Sequence, residues 1–272
     1  MCGICGARRG PDPEAAVRTM LPLLAHRGPD ADGVWTSGDT SLGHLRLAIV
    51  DLSSAGRQPM VAYGSELALV ANGEIYNYPA LRDELAAEGT VFQSASDSEV
   101  ILHLYRRHGA KAFERLNGMF AFALFDAREQ RLFVVRDRVG IKPVYYYRDP
   151  DTGRLLFASE IKAILAAAGR ETWAIDQQAL LQYLSRQNLM GDRSLFAGIR
   201  LLEPGSMLID DANGTRIERY WRAEIPEAEA RSFEQDAAEF GTVFGEAVQR
   251  HLMSDVPVAS YMSAGFDSTL VA

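Results

Sequence analysis

Residues 1–10 read MCGICGARRG, with Cys2 directly behind Met1 and Cys5 three residues on. As C-x-x-C the pair reads as a redox or metal motif. As Met-Cys it reads as a concealed nucleophile. Removal of Met1 would leave Cys2 carrying both a thiol and a free α-amine. Their ordinary pKa values are about 8.5 and about 7.7–8.0. The neutral amine can therefore take the thiol proton near neutral pH, directly or through a water, without a partner histidine. These are the only two cysteines, whereas a structural zinc site wants about four ligands. The histidines (His26, His44, His103, His108, His251) show no H-x₃-H spacing to complete one. A thioredoxin-type pair lies between a strand and a helix, and no strand precedes this one. A third reading makes Cys2 simply the second residue of a disordered end. Taken alone, the ten residues leave the three open; Cys5 reads as a small buried apolar residue.

The rest of the chain narrows the choice. Its 272 residues allow one large domain or two ordinary ones, and 47% hydrophobic residues suffice for a sizeable core. A net charge of −8 with no basic stripe argues against nucleic acid as a partner. No apolar run reaches the roughly 18–20 residues of a membrane span. Gly, Arg and Pro stand where a signal peptide needs an apolar stretch, so a cytoplasmic location is expected.

Periodicity predicts a helix over 13–30, with Pro22 as a weak point, and another over 79–89. Strands are expected at 41–51 and 66–77. Ser96 and Glu99 have capping-box spacing ahead of an apolar face formed by Val100, Ile101, Leu104 and Tyr105. Hairpins are expected at 119–137, at 144–159 and at 206–221, the last turning at Asn213-Gly214. Helices are expected at 160–169 and 176–187. Hairpins mixed with helices indicate an antiparallel α+β fold. After Trp221 a charged, Ala/Glu-rich linker (222–232) leads to a helix (233–255), then a short strand Val256–Met262, a small-residue loop and one helical turn.

Several polar residues stand where a free amino acid would need them. Arg46 interrupts an apolar strand, and such a charge needs a partner. A substrate α-carboxylate would supply one, bound by the bidentate guanidinium fork. An α-ammonium wants a carboxylate, which Asp97 and Glu74 offer. A side-chain amide attacked by a thiolate develops an oxyanion, which wants an Asn side chain and an uncovered backbone N–H; Asn72 and Gly73 supply both. Singly, each has a plainer reading: a turn, a cap, a surface salt bridge.

The ordered motifs MCGICG, HRGPD, LRLAIVD, ANGEIYN, ASDSEVIL, LNGMFAFALFD, RDRVGIKPVYY, FASEIKA and LEPGSMLI closely resemble the glutaminase domain of class II glutamine amidotransferases, in its glutamine-hydrolysing asparagine synthetase branch. The resemblance covers essentially the whole chain. It implies the four-layer αββα sandwich of N-terminal nucleophile hydrolases over residues 2–220, with Cys2 as the mature N-terminus that attacks L-glutamine. It further implies that Arg46 grips the carboxylate, that Asn72 and Gly73 line the oxyanion hole, and that Glu74 and Asp97 hold the ammonium group. The strand Arg46, Leu47, Ala48, Ile49, Val50 would border the pocket. Cys5 becomes an incidental neighbour.

Residues 221–272 would then be the linker and the incomplete start of an α/β synthetase domain. The segment YMSAGFDSTLVA is similar to the S-G-G-x-D-S pyrophosphatase loop of enzymes that adenylate a carboxylate; no G-x-x-x-x-G-K-[ST] P-loop occurs. By that resemblance Ser263, Gly265, Asp267 and Ser268 take phosphate-loop positions and Met262 an ATP contact. Ala264 departs from the pattern, which has Gly there, and Phe266 fills its variable position. The implied reaction converts glutamine, aspartate and ATP, with Mg²⁺, into asparagine, glutamate, AMP and pyrophosphate. Only its glutaminase half is expected of this chain, without a cofactor. A homodimer is left open, as are a different carboxylate acceptor and a non-synthesising glutamine-binding regulator.

Overall fold

The computed structural model describes residues 1–225 and 231–272, so 226–230 of the expected linker lie outside the described residues. The chain runs β1 (Gly3–Arg8), α1 (Pro13–Met20), β2 (Ala31–Ser37), β3 (Thr40–Arg46), β4 (Met60–Ala62), β5 (Leu67–Ile75), α2 (Tyr78–Ala87) and α3 (Glu99–His108). It continues with β6 (Gly118–Asp126), β7 (Arg131–Arg136), β8 (Tyr145–Arg148), β9 (Leu155–Ala158), α4 (Ile161–Ala167), α5 (Gln177–Arg186), β10 (Ile199–Leu201), β11 (Ser206–Asp211), β12 (Gly214–Arg219), α6 (Phe233–His251) and α7 (Phe266–Val271).

The strands form two six-stranded sheets, ordered β10-β8-β9-β1-β3-β2 and β12-β11-β7-β6-β5-β4. The reason is visible in the run MFAFALFD. Phe120, Phe122 and Leu124 of β6 face α2 and α3, where they meet Leu81, Leu85, Val100, Ile101 and Tyr105. Ala121, Ala123 and Phe125 face the other way, onto Ile4, Leu42 and Phe157 of the opposite sheet. A strand covered on both faces reads as continuously apolar rather than alternating. The first sheet is covered in turn by α1 and α4, through Val17, Met20, Ala163 and Ile164 against Cys5, Ala7, Leu45 and Ala158. Helix, sheet, sheet, helix is the four-layer αββα sandwich expected from the sequence. Cys5 is fully buried there.

Several local expectations need correction. The first helix ends at Met20, and Leu21–Arg27 tighten into a 3₁₀ helix; Pro22 has no N–H to continue the α ladder. The strand expected over 41–51 stops at Arg46. Beyond it the Leu47 N–H goes to Cys2 Sγ and the Ala48 N–H to Asp30 Oδ2, so side chains have taken the donors a ladder would need. The Ser96/Glu99 capping box does not form. The Glu99 carboxylate instead accepts the backbone N–H groups of Gln93 (2.7 Å) and Ser94 (2.8 Å), and α3 begins after Ser98. The last hairpin turns at Ala212-Asn213, because Asp211 pairs with Gly214. Gly214, at φ +99°, opens β12. Residues 256–262 form no strand; no partner strand lies beside them among the described residues, and Tyr261 is fully exposed.

Phe125 fills the space between the sheets, 5.6 Å from the Trp35 ring. Phe125→Ala is expected to destabilise the fold by about 3–5 kcal/mol, read from the midpoint of urea unfolding.

Candidate active site

The antiparallel register of β1 on β3 (Gly3 opposite Leu45, Ile4 opposite His44) brings Cys2 beside the end of β3. The Leu47 N–H donates to Cys2 Sγ at 3.4 Å, and the thiol lies 3.6 Å from Leu47 O. Arg27 Nε fixes the Cys2 carbonyl at 3.0 Å. Burial raises the thiol pKa, while the Leu47 N–H, the chain-terminal amine and Arg46 pull it down. Burial lowers the pKa of the Met1 amine, and the charges of Arg27 and Lys142 add to that effect.

Cys2 opens into a pocket walled by Arg46, Leu47, Ile49, Val50, Asn72, Gly73, Glu74 and Asp97, which the sequence singled out, and by Gly56, Gln58, Ser96, Ser98 and Lys142, which it did not. Ala48 is not in the wall; its N–H is turned to Asp30 (2.8 Å). Residues 47–50 contribute as a loop, not as a strand.

Arg46 is buried. Its Nη1 donates to Ser53 O (2.8 Å) and its Nη2 to Asp51 O. Gly56 makes room for the guanidinium: a Cβ there would fall 2.4 Å from Nη2. Among the described residues no carboxylate lies within ion-pair distance, 4.0 Å, of Arg46 or of the buried Lys142. Lys142 Nζ instead rests 3.3 Å from Met1 Sδ, and burial lowers its pKa. Asp97 likewise has no cation within 4.0 Å among the described residues. Burial lifts its pKa to about 6; the Glu74 charge adds to the rise and the Ile75 N–H opposes it. Burial raises the pKa of Glu74 too. The pocket wall thus carries cations (Arg46, Lys142) and carboxylates (Glu74, Asp97), none with an oppositely charged side chain within 4.0 Å among the described residues.

Strand β5 supplies the remaining polar groups along its free edge. The Ala71 N–H donates to Gln58 Oε1 (2.6 Å) and the Ile75 N–H to Asp97 Oδ2 (2.7 Å). Gly73 lies between them. Its pairing partner Phe120 spends both backbone groups on Asp137, so the Gly73 N–H points off the sheet edge toward the pocket. Gly73 has φ +150°, and a Cβ would stand 2.0 Å from Met119 O. Beside it, both amide atoms of Asn72 are buried with no hydrogen-bond partner among the described residues. A buried unpaired amide costs about 1–3 kcal/mol, which a ligand can recover. The neighbouring His44, its pKa lowered to about 4 by burial, is neutral and links the sheets through Nε2 to Ala71 O (3.1 Å).

The residues matched to a nucleotide loop sit elsewhere. Met262, Ser263 and Gly265 lie in an exposed segment before α7, Asp267 is exposed in the first turn of α7, and Ser268 in that helix is half-buried. The Ser263 and Ser268 hydroxyls bond each other (3.0 Å), and Ser268 Oγ accepts the Ser263 N–H. Ala264 has φ +58°, a conformation that costs a residue with a Cβ about 1–2 kcal/mol. No group of three His, Cys, Asp or Glu able to hold a metal occurs among the described residues. As arranged here, these residues do not fit ATP or Mg²⁺. No described helix is long and apolar enough to cross a membrane.

Two outcomes test this geometry. Gly73→Ala is expected to lose about 2 kcal/mol or more of stability, measured by chemical unfolding, because the methyl has nowhere to go. Binding of an α-amino acid is expected to weaken as pH falls through about 6, since a proton on Asp97 competes with the ligand's ammonium. Calorimetric titration across that range should show the loss, and Asp97→Asn should bind weakly with little pH dependence.

A profile described as a glutamine amidotransferase domain matches residues 1–221, and one described as asparagine synthase matches residues 239–272. The chain is 38% identical over 279 residues to asparagine synthetase [glutamine-hydrolyzing] 3 of Bacillus subtilis, covering 100% of this chain and 44% of that protein. It is also 38% identical to the amidase chyE of Penicillium rubens, over 93% of this chain and 37% of the other. It therefore spans less than half the length of these relatives. Among solved structures, a B. subtilis glutamine phosphoribosylpyrophosphate amidotransferase superposes with a TM-score of 0.63 at 23% identity, over 82% of this chain and 50% of that one, a likeness of fold. The sandwich, the strand-end cysteine and the profile match over most of the chain agree: this chain belongs to the glutamine amidotransferase family.

Proposed function

We propose that residues 2–220 hydrolyse L-glutamine, with Cys2 as nucleophile once Met1 is removed. The observation that carries this reading is the set of unpaired charges of both signs around Cys2, complementary to a free amino acid. Arg46 takes the α-carboxylate; Asp97 and Glu74 take the α-ammonium. The side-chain amide then lies against Cys2.

While Met1 is present, the Cys2 nitrogen is an amide and has no basic lone pair. As a free amine it accepts the thiol proton. The thiolate attacks the amide carbon, and the carbonyl electrons move onto oxygen. Asn72 Nδ2 and the Gly73 N–H stabilise that oxyanion. The amine returns its proton to the leaving nitrogen, the C–N bond breaks, and ammonia departs from a thioester on Cys2. Water, deprotonated by the same amine, cleaves the thioester to glutamate. Burial and the Arg27 and Lys142 charges lower the pKa of the Met1 amine; the same surroundings would favour the basic form of the Cys2 amine once Met1 is removed. Cys5, buried in the first sheet, takes no part.

For the protein of which these residues form the glutaminase, we propose that residues 221–272 begin a synthetase domain that uses the ammonia to convert aspartate to asparagine with ATP, in the cytoplasm. The match over 239–272 supports this. A second reading is that the acceptor is a different carboxylate; a relative at the same identity is named an amidase rather than an asparagine synthetase. Aspartate and alternative acids compared in an amidation assay of the longer protein separate the two.

Cys2→Ala is expected to abolish glutamine hydrolysis, and intact mass of the active protein should begin at Cys2; retained methionine in an active preparation overturns the mechanism. Asn72→Ala should lower kcat by about 100-fold or more with little change in KM, because its charge partner exists only in the transition state.

A further inference from the structure

The pocket is braced from outside the glutaminase sandwich. After α6 the chain passes over the pocket's rim, and Asp255 meets the loop after β3 twice. Its backbone N–H donates to Ile49 O at 2.9 Å, and its carboxylate accepts the Asp51 N–H at 2.7 Å. Ile49 lines the pocket. Asp51 carries the carbonyl that holds Arg46 Nη2, and its own carboxylate accepts the Ala95 N–H (2.9 Å), two residues before Asp97. The group that fixes the carboxylate-binding arginine is thus itself fixed by Asp255. A second contact lies nearby: the His251 ring sits 4.6 Å from the ring of Tyr76, two residues beyond Glu74. Asp255 lies in the region matched to asparagine synthase, whereas everything it holds lies in the region matched to the amidotransferase.

We propose that Asp255 is a positioning residue for the glutamine pocket: it clamps residues 49–51 so that Arg46 meets the substrate carboxylate, and it makes glutamine affinity depend on the chain that follows the sandwich. This rests on the glutaminase reading above. Loops without regular partners are the low-stability parts of a fold. Residues 47–51 have left the β3 ladder, and the two Asp255 bonds replace part of what the ladder would supply. Asp255 touches no substrate, so its effect falls on binding geometry rather than on the reacting atoms.

The test is steady-state glutamine hydrolysis by the full 272-residue chain and its variants. Asp255→Ala is expected to raise KM for glutamine at least about fivefold with kcat changed less than about twofold, the pattern of lost ground-state positioning. Asp255→Asn keeps an oxygen that accepts the Asp51 N–H and should recover most of the KM. A KM in Asp255→Ala equal to that of the parent overturns the proposal, as does a KM equally high in both variants. If Asp255→Ala is not recovered folded, Asp255→Glu carries the test: its carboxylate is displaced by one methylene, a raised KM supports the clamp, and an unchanged KM overturns it. A parent chain that does not hydrolyse glutamine overturns the glutaminase reading itself, whereas an active parent with unmoved variants overturns only the clamp.

Discussion

The antiparallel pairing of β1 with β3 is the constraint from which the site follows. With Gly3 opposite Leu45, the residue before Gly3 must lie at the end of β3, where Arg46 and Leu47 are. A slip by one residue would turn every side chain of β1 to the other face. Two glycines hold the register. A Cβ on Gly6 would strike the Phe157 ring at 2.3 Å, and one on Gly43 would meet Val17 at 2.5 Å. Neither face of the first sheet tolerates a shift, so the thiol is placed by packing at a distance from it.

The second sheet delivers its groups by a different device. β5 is hydrogen-bonded to β6 along its whole length but to β4 only over Met60–Ala62. The uncovered edge beyond Leu69 would ordinarily invite another strand. Here side chains occupy it, Gln58 and Asp97 taking the flanking N–H groups. The edge becomes a row of donors, with the Gly73 N–H standing between the two that are taken. His44 holds this edge at a fixed height above β3 through its bond to Ala71. The two halves of the pocket therefore belong to different sheets, tied to each other by this buried bond.

Much of this was legible from residues. Hydrophobic pattern and turn chemistry found the hairpins and most helices, and the ordered motifs gave the layered architecture. Arg46, Asn72, Gly73, Glu74 and Asp97 converge as their chemistry suggested. What escaped has physical reasons. Lys142 stood inside a quoted motif, but nothing in a linear sequence says that a lysine is buried without a counter-charge. Gln58 acts through one backbone contact, and Arg27 through the Cys2 carbonyl and an ion pair with Glu160, neither of which leaves a periodic trace. Ala48 came with the segment 46–50 that the resemblance implied as a pocket border, and the strand ends before it because Cys2 and Asp30 capture the donors of Leu47 and Ala48. The Ser96/Glu99 spacing was right for a cap, but Glu99 found better partners in Gln93 and Ser94 and is held at a pKa of about 2 by His103 and those bonds against the cost of burial.

The place of β1 in its sheet also sets a timetable. Its other neighbour is β9, with Cys5 opposite Ala158. A ribosome adds about 5–20 residues per second, so the first strand waits on the order of ten seconds or more before that neighbour exists. Throughout that interval its apolar face and the amine of Met1 stand open to the solution. In the finished fold the same amine is partly buried and feels the charges of Arg27 and Lys142. The removal of Met1 that the proposed mechanism requires is therefore best placed during synthesis, before the strands that close around Cys2 have emerged.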